Sequence, residues 1–498
     1  MLAASRESIA IVPGEGLIMK KHFISNTWVA SQAATIPVID PSTGLNIGEI
    51  ARGEQQDVDA AVAAARAAIG GTFDGPWGCL SAVQRSQLLY RFFAAISERA
   101  EELAAIEAVD TGKSLKTARA DAVALARYFE YYAGACDKLQ GQTLPYEVGY
   151  LVMTIREPHG VTAHVVPWNY PMQIFGRTVG ASLAAGNACV VKPAEDASLS
   201  LLRLAELAAE VGFPPGALNV VTGYGHEVGA WLCAHPGIDH ISLTGSTATG
   251  RLVAEAAAKH QCPVTLELGG KSPQIVFDDA DLDAALPVIV NSIVQNAGQT
   301  CSAGSRLLVQ RGVYETLLDA LAHRFRALRS GPPALELDMG PLVNRKQYDQ
   351  VKSILLRAET DGMRVMARGE VHPEAASGGF YQEAVLLRDV PHEHGIAQHE
   401  IFGPVLAAMP FDDEADAIRL ANGTDYGLVA GVWTSDGARQ LRIARKLRCG
   451  QVFINNYGAG GGVELPFGGV KSSGYGREKG FEALLGFTVL KTIAVKHG

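Results

Sequence analysis

One cysteine of the chain, Cys301, stands among small and amide-bearing residues, in the run from Gln295 to Arg306, rather than in an apolar helix. An attacking thiol needs access, room for an electrophile and N–H donors for the negative charge that develops. Gly298, Ala303 and Gly304 leave that room. A structural cysteine needs only an apolar pocket, and free cysteine is among the most buried residue types. The run therefore indicates either a nucleophile or a small core residue.

A carboxylate, Glu267, interrupts the apolar strand pattern from Val264 to Phe277, just before Gly269 and Gly270. Burying a carboxylate is costly without a partner, and burial raises its pKa, which suits a general base acting near neutrality. The alternative is a glutamate that ends a strand and points to solvent. A thiol and a base on neighbouring glycine-rich runs favour the catalytic interpretation.

Seven runs together resemble, in order and spacing, the aldehyde dehydrogenase superfamily, and the likeness extends from about Phe23 to Lys491. Besides the runs around Cys301 and Glu267, they are Pro167–Pro171, Lys192–Glu195, Gly245–Gly250, Glu400–Pro404 and Pro466–Gly474. The resemblance implies NAD-dependent oxidation of an aldehyde to a carboxylic acid.

The resemblance also implies a mechanism. Cys301 attacks the aldehyde carbon, and the oxyanion is held by the side-chain amide of Asn169 and the backbone N–H of Cys301. Hydride leaves to the nicotinamide, and Glu267 activates the water that hydrolyses the thioester. Glu478 matches a family position credited with proton relay. For Asn169 alone, the alternative is a turn residue between Trp168 and the following proline.

One departure from the family concerns Arg177 and Thr178, which stand where many relatives carry Trp-Lys. A structural or proton-handling part has been assigned to that lysine. Because Thr178 cannot carry a charge, a relay through Glu478 has no lysine to work with here.

Two glycine-rich turns, Gly223–Gly229 and Gly245–Gly250, follow predicted strands and could each open a helix that binds phosphate at its N-terminus. Neither has the G-x-G-x-x-G spacing, so the pattern alone also fits plain tight turns. The resemblance implies an NAD site, formed by Val166, Pro167, Trp168, Lys192, Glu195, Gly225, Thr244, Gly245, Ser246, Leu268, Glu400 and Phe402.

Within that site, Gly245 and Ser246 match the pyrophosphate turn, and Glu400 matches the ligand of the nicotinamide ribose. Lys192 and Glu195 match the adenosine-ribose ligands. Because a carboxylate that binds ribose hydroxyls repels a 2′-phosphate, Glu195 predicts a preference for NAD over NADP. A glutamate that faces solvent is the alternative for either residue.

The substrate positions of the family match Tyr170, Phe175, Thr300, Ser302 and Tyr457. The loop from Tyr457 to Glu464 holds four glycines, which indicates a wide or mobile entrance. Betaine aldehyde enzymes usually have a denser aromatic cage for the trimethylammonium group. The loop therefore favours a neutral aldehyde, with room for a bulky one.

Two rival functions stay open. A CoA-acylating semialdehyde dehydrogenase would pass the acyl group to CoA, but such enzymes usually lack the general base that Glu267 provides. A non-catalytic nucleotide-binding protein on the same scaffold would not need Cys301, Glu267 and Asn169 together.

The composition excludes several classes. The 498 residues are only 19% charged with a formal net charge of −9, and no basic block is present, which argues against nucleic acid or an anionic membrane surface as partner. No run of 18 apolar residues appears, so no membrane span is predicted. The segment from Met1 to Lys21 is broken by Pro13 and does not have the pattern of a signal peptide.

Seven scattered cysteines without a C-x-x-C pair predict neither a disulfide framework nor a zinc site, and they fit a reducing cytoplasm. His392, His394, His399 and Glu400 have some metal-like spacing, but the neighbouring Pro391 and Gly395 favour a solvated loop. We therefore predict no metal.

The elements that must position these residues alternate along the chain. Helical spacing dominates from Val58 to Glu101, and short apolar strands then alternate with helices, which predicts an α/β fold with parallel, doubly wound sheets. By its length the chain should form two or more domains. The two strand-like runs that fit neither sheet, Tyr150–Glu157 and Thr488–Val495, match an arm that joins subunits into a dimer or tetramer. A small internal hairpin is the alternative.

The predicted architecture is aldehyde dehydrogenase-like, with a Rossmann-type dinucleotide-binding domain, an α/β catalytic domain and a β oligomerisation arm. The predicted division is an N-terminal extension (1–20), an NAD-binding domain (21–147 and 161–268), a catalytic domain (269–480) and the arm (148–160 and 481–498).

Overall fold

The computed structural model describes residues 17–19, 21–31, 34–458 and 462–498. Most of the predicted N-terminal extension therefore lies outside the described residues. Of that extension, the strand Leu17–Met19 is described, and it pairs in parallel with the strand Asn46–Ala51. Part of the loop from Tyr457 to Glu464 also lies outside the described residues.

The first large sheet has eight strands. In spatial order they are Gly474–Tyr475, Val264–Glu267, His240–Thr244, Val161–Val166, Ala188–Pro193, Leu218–Val220, Lys21–Ile24 and Thr27–Ala30. The five inner strands are parallel, as the alternation of strands and helices predicts. All six residues of Ala188–Pro193 are buried, because helices cover both faces of the sheet.

The second large sheet has seven strands. They are Arg364–Arg368, Val385–Arg388, Val405–Phe411, Arg306–Gln310, Pro273–Val276, Val429–Trp433 and Gln451–Ile454. Only Arg364–Arg368 runs antiparallel to its neighbour. Each large sheet packs in its own hydrophobic core.

The change of sheet falls where the sequence predicts it, since the first sheet includes Val264–Glu267 and the second begins at Pro273. The strand Gly474–Tyr475, however, returns from the predicted catalytic segment to pair with Val264–Glu267. The residue limits of the domains remain a prediction.

The two remaining strand-like runs pair with each other. Tyr150–Pro158 and Thr488–Lys496 are antiparallel over nine residues each, and Thr143–Leu144 adds a third strand. Small sheets are formed by Leu17–Met19, Asn46–Ala51 and Thr35–Ile39, and by Arg329–Ser330 and Glu370–Val371.

The α-helices are Gln55–Ile69, Ala82–Glu98, Ala100–Thr111, Leu115–Ala135, Pro171–Ala185, Leu199–Glu210, Ala230–Ala234, Thr247–Ala258, Leu282–Val294, Tyr314–Ala327, Arg345–Thr360, Gly395–Gln398, Glu414–Asn422, Gly437–Lys446 and Gly480–Gly486. The helix Pro171–Ala185 begins at a proline, whose missing N–H costs nothing there, and ends at Gly186 with φ of 105°. In the described part of the chain, no helix is long and apolar enough to cross a membrane.

Candidate active site

Cys301 lies in the loop between the helix Leu282–Val294 and the strand Arg306–Gln310. The loop begins with a left-handed turn at Asn296 (φ 49°) and Ala297 (φ 53°), and such backbone strain is concentrated at functional sites. A Cβ atom on Gly270 would lie 2.3 Å from the carbonyl oxygen of Cys301, so only glycine lets the two loops approach. The thiol is partly exposed.

The charged groups around Cys301 shift the pKa of its thiol in opposite directions. Burial raises the pKa of the Cys301 thiol to about 12, and the Arg177 guanidinium lowers it. Glu400 and Glu267 raise it further. A reactive thiolate at this position therefore depends on nearby positive charge and hydrogen-bond donors.

Asn169 lies beside the Cys301 loop. Its Nδ2 donates a hydrogen bond to the carbonyl oxygen of Gln299 at 3.1 Å. Its own carbonyl oxygen accepts hydrogen bonds from Lys113 Nζ at 3.1 Å and from Asn296 Nδ2 at 2.9 Å. The amide that is predicted to hold an oxyanion is thus fixed from both its backbone and its side chain.

Lys113 is a buried cation that the sequence motifs do not mark. Its ammonium group bonds to Glu107 at 2.9 Å and to Asp121 at 2.5 Å, and the side chains of all three residues are nearly inaccessible to solvent. Glu107 also accepts a hydrogen bond from the backbone N–H of Met172, near the start of the helix that follows Asn169. Glu107 and Asp121 interrupt apolar helical segments, whereas Lys113 lies in the turn between the two helices.

Glu267 ends the strand Val264–Glu267 and is 1% exposed. Neither of its carboxylate oxygens has a hydrogen-bond partner among the described residues. Burial raises its pKa well above the ordinary value, and the neighbouring Glu478 raises it further, while Arg177 and Arg477 act against them. The raised pKa agrees with the expectation for a general base.

Glu478 is completely buried, and its Oε1 accepts a hydrogen bond from Ser242 Oγ at 2.9 Å. Its second oxygen forms an ion pair with Arg177. Thr178, which stands at the family's lysine position, instead donates to the carbonyl oxygen of Ile174 within its own helix. The sequence singled out Arg177 as a departure, but only the structure pairs it with Glu478.

A cleft of about 520 Å³ opens beside Cys301, within the range of small-molecule sites. Its lining includes most of the predicted cofactor residues, namely Val166, Pro167, Trp168, Lys192, Glu195, Thr244, Gly245, Ser246, Glu400 and Phe402, together with Asn169. Ser246 caps the helix Thr247–Ala258 by accepting from the N–H of Thr249 at 3.1 Å. The positive end of that helix dipole therefore faces the cleft.

The predicted adenosine-ribose residues form a pair, with Lys192 Nζ 3.0 Å from Glu195 Oε2. At the other end of the cleft, Glu400 accepts a hydrogen bond from the N–H of Gly270 at 3.0 Å, and burial raises its pKa to about 7. Phe402 has a left-handed backbone (φ 58°) and meets the ring of Trp168 edge to face at 5.2 Å.

Two predicted cofactor residues do not line the cleft. Gly225 starts a π-helical turn, and a Cβ atom built on Gly225 would lie 4.0 Å from Lys192 Nζ. Leu268 packs against Gly250, where a Cβ atom would lie 2.6 Å from the leucine.

Four of the predicted substrate residues flank Cys301. Tyr170 shares a hydrogen bond of 2.9 Å with Thr300, and the hydroxyl of Tyr457 donates to the carbonyl oxygen of Ser302 at 2.6 Å. Phe175 differs from them, because it is fully buried in the core of the first sheet and its ring lies 6.0 Å from that of Phe129. The structure does not bring Phe175 to the site.

No group of three or more His, Cys, Asp or Glu side chains in the described ranges is arranged to hold a metal ion. His394 instead caps the short helix Gly395–Gln398 and lies 3.2 Å from Asp361.

A thiol, a buried carboxylate and an amide beside a dinucleotide-sized cleft define an oxidoreductase-like site, and comparison with known proteins identifies the family. Residues 28–493 match the model of the aldehyde dehydrogenase family. The chain belongs to this family.

Three relatives illustrate the similarity. The chain is 43% identical to a hydroxyisobutyraldehyde dehydrogenase from Mycolicibacterium austroafricanum, over 95% of this chain and 93% of that protein. It superposes with a TM-score of 0.94 on the crystal structure of a candidate aldehyde dehydrogenase from Burkholderia cenocepacia, at 67% identity over 96% of this chain and 100% of the other. The NAD+ complex of a Bacillus cereus aldehyde dehydrogenase has a TM-score of 0.93 and 40% identity, over 96% of this chain and 97% of the other.

Proposed function

We propose that this protein oxidises a neutral aldehyde to the carboxylic acid, with NAD as hydride acceptor, through a thioester on Cys301 that water hydrolyses. The observation that carries the proposal is the joint placement of Cys301 and Asn169 on the cleft, with the buried Glu267 close enough for its charge to raise the pKa of the thiol.

The cleft fits a dinucleotide. Ser246 and the helix it caps offer N–H groups and positive potential to a phosphate, while Lys192 and Glu195 offer a cation and a carboxylate to a ribose. Glu400 offers a second carboxylate close to Gly269. A Cβ atom built on Gly269 would lie 2.4 Å from the Oε2 atom of Glu400. When bound, the nicotinamide supplies the hydride acceptor.

The chain's own residues supply the remaining chemistry. The Cys301 thiolate forms the C–S bond to the aldehyde carbon, and the Asn169 amide with the Cys301 N–H stabilises the oxyanion. Loss of the former aldehyde hydrogen as hydride, to the nicotinamide that the cleft would hold, would convert this adduct to the thioester. Glu267 then accepts a proton from the water that attacks the thioester, so that the acid leaves and the thiol is regenerated. The raised pKa of Glu267 makes its ionised carboxylate a stronger base for this proton transfer.

Water is favoured over CoA as the acyl acceptor because Glu267 is present as a buried carboxylate next to the thiol. The same residue disfavours a non-catalytic nucleotide-binding role, in which a buried carboxylate without a hydrogen-bond partner would only destabilise the fold.

A neutral substrate is favoured by the side chains around the thiol. Cys301 packs with an apolar cluster that contains Leu428, Val429, Phe467 and Tyr457. The nearby cation, Arg177, is already paired with Glu478. The test is to compare kcat/KM for neutral, cationic and anionic aldehydes of similar size. A clear preference for a charged aldehyde would overturn this part of the proposal.

We also propose the domain division given above and a homo-oligomer, dimer or tetramer, assembled through the arm. The described arm supports this, because Leu144, Tyr146, Val148, Leu151 and Leu490 are all exposed there. A cytoplasmic location is proposed because a working thiol needs a reducing compartment, and all seven cysteines are free.

The function is tested by Cys301→Ala, which should abolish NADH formation from any aldehyde and leave NAD binding nearly intact. Cys79→Ala is the matched control, because Cys79 is exposed and lies outside the cleft lining. Wild-type turnover in Cys301→Ala would refute the thioester mechanism.

A further inference from the structure

Arg177 is a buried cation whose partners come from several elements. Its side chain is 9% exposed and forms the ion pair with the fully buried Glu478. Its Nη2 donates a hydrogen bond to Thr244 Oγ1 at 3.0 Å, and its guanidinium lies 5.1 Å from the centre of the Phe467 ring. The group is therefore held from the end of the strand His240–Thr244 and from the segment after Pro466, in which Phe467 and Glu478 form an isolated antiparallel bridge.

The titratable and charged groups that interact with Arg177 are Tyr128, Tyr132, Glu267, Cys301, Glu478 and Lys479. The strongest favourable interaction is with Glu478. Thr244 and Phe467 belong to the surroundings of the cleft and of Cys301, since Thr244 lines the cleft and Phe467 lies in the apolar cluster around the thiol. The guanidinium thus contacts one residue that lines the cleft beside Cys301 and one residue of the apolar cluster around the thiol.

We propose that Arg177 is a positioning residue for the reaction, a fixed cation that Glu478 holds in place and whose charge favours the thiolate form of Cys301. The proposal rests on the proposed role of Cys301 as nucleophile. The guanidinium keeps its charge at any working pH, unlike an ammonium group, which burial can neutralise. Thr178, the next residue of the same helix, is uncharged and donates its hydroxyl to Ile174 within the helix. Arg177 is therefore the residue of this helix that forms the ion pair with Glu478.

The position of the Arg177 guanidinium agrees with its effect on the pKa of the Cys301 thiol. Burial raises the pKa of the thiol, and Arg177 is the cation that acts against this effect. A buried ion pair orients its members more than it adds stability, so the pair with Glu478 is well suited to hold the guanidinium at one distance from the sulfur.

The test measures the alkylation of Cys301 by iodoacetamide, followed by mass spectrometry of the peptide that contains it, at several pH values on the acid side of the thiol titration. This readout needs no aldehyde, no cofactor and no turnover, so its outcome is separate from that of the dehydrogenase assay. The rate is proportional to the thiolate fraction.

Arg177→Gln should slow alkylation by about tenfold, which corresponds to a rise of about one pKa unit on loss of a nearby opposite charge. Arg177→Lys should restore most of the rate. Glu478→Gln keeps a side-chain oxygen that can accept a hydrogen bond from the guanidinium, so Arg177 should stay in place. The alkylation rate should then be unchanged or higher, because the positive charge acts on the thiol without its neutralising partner. Arg311→Gln is the control, since its ion pair with Asp412 is exposed.

The two variants, Arg177→Gln and Glu478→Gln, are expected to affect the alkylation rate differently, and this separates the proposal from a structural role. An ion pair that only stabilises the fold would slow alkylation when either partner is removed. An unchanged rate in Arg177→Gln, or an equal loss in Glu478→Gln, would overturn the proposal. If Arg177→Gln does not fold, the double variant Arg177→Gln/Glu478→Gln removes both buried charges. It should then react about tenfold more slowly than Glu478→Gln alone, and equal rates would overturn the proposal.

Discussion

Glu267 shows how burial sets the chemistry of a single residue. Water stabilises an ionised carboxylate, and at 1% exposure Glu267 is almost completely removed from bulk solvent and has no hydrogen-bond partner among the described residues. Its raised pKa makes it a stronger base than an exposed glutamate once it is ionised. Such a group is costly to the fold, and its presence indicates a role in catalysis.

Glu267→Gln should therefore slow hydrolysis of the thioester more than its formation. Rapid mixing with aldehyde and NAD should give a burst of NADH of about one equivalent per active subunit, followed by a slow steady state. The comparison is with the wild-type enzyme, in which the steady-state rate after the first turnover should be higher than in the variant. Equal loss of both phases would instead point to a structural role.

Glu195 should determine the choice of cofactor. Glu195→Gln removes the charge that binds ribose hydroxyls and also releases Lys192, now 3.0 Å away, to meet a 2′-phosphate. The ratio of kcat/KM for NAD to that for NADP should fall by a factor corresponding to about 1–3 kcal/mol. Steady-state kinetics with both cofactors measure it, and an unchanged ratio would remove Glu195 from the ribose site.

At the scale of the elements, the inner strands of the first sheet carry buried histidines. His164 on Val161–Val166 is fully buried, and His240 begins the neighbouring strand. Burial lowers the pKa of His164 from 6.5 to about 3 and that of His240 well below its ordinary value. Both rings are thus held neutral between helices and sheet.

The free energy of unfolding should consequently fall with acidification between about pH 6.5 and pH 3, because the unfolded chain binds a proton to His164 in this window and the folded chain does not. The loss should be about 1.4 kcal/mol per pH unit for each such histidine. His164→Gln should make the dependence shallower in urea unfolding across a pH series. His226→Gln, with a largely exposed side chain, should leave the slope unchanged. If the free energy of unfolding depended equally on pH in His164→Gln and His226→Gln, the effect assigned to the buried His164 would be contradicted.

At the scale of the whole molecule, the arm is a three-stranded sheet outside the two large ones. A single layer cannot bury both of its faces, and Val489, Leu490 and Val495 stay exposed on one of its strands. Pairing with the same surface, or with a sheet edge, of another copy of the chain would bury these exposed side chains.

Leu490→Lys should therefore weaken self-association, shifting the molar mass measured by size exclusion with light scattering towards the monomer. Leu356→Lys is the matched control, since Leu356 is equally apolar, 67% exposed, and lies on the helix Arg345–Thr360, away from the arm. A wild-type chain that is already monomeric, or an unchanged mass in Leu490→Lys, would refute assembly through the arm.

Local pattern was enough to predict the α/β class, the change of sheet after Glu267 and the two strands of the arm. These features depend on residue alternation and on glycines such as Gly270, which act within a few residues of their position. Short motifs also identified the family and nominated Cys301, Glu267 and Asn169, because each motif carries its chemistry in consecutive residues.

Only the tertiary structure decided which distant groups meet. The pairing of Arg177 with Glu478 joins residues 301 positions apart, and the bond from Lys113 to Asn169 joins the turn between two helices to a residue 56 positions further along the chain. Phe175, which a linear match placed near the substrate, faces the core instead. Such contacts follow from how helices pack on a sheet, and packing depends on the summed burial of many side chains rather than on any local spacing.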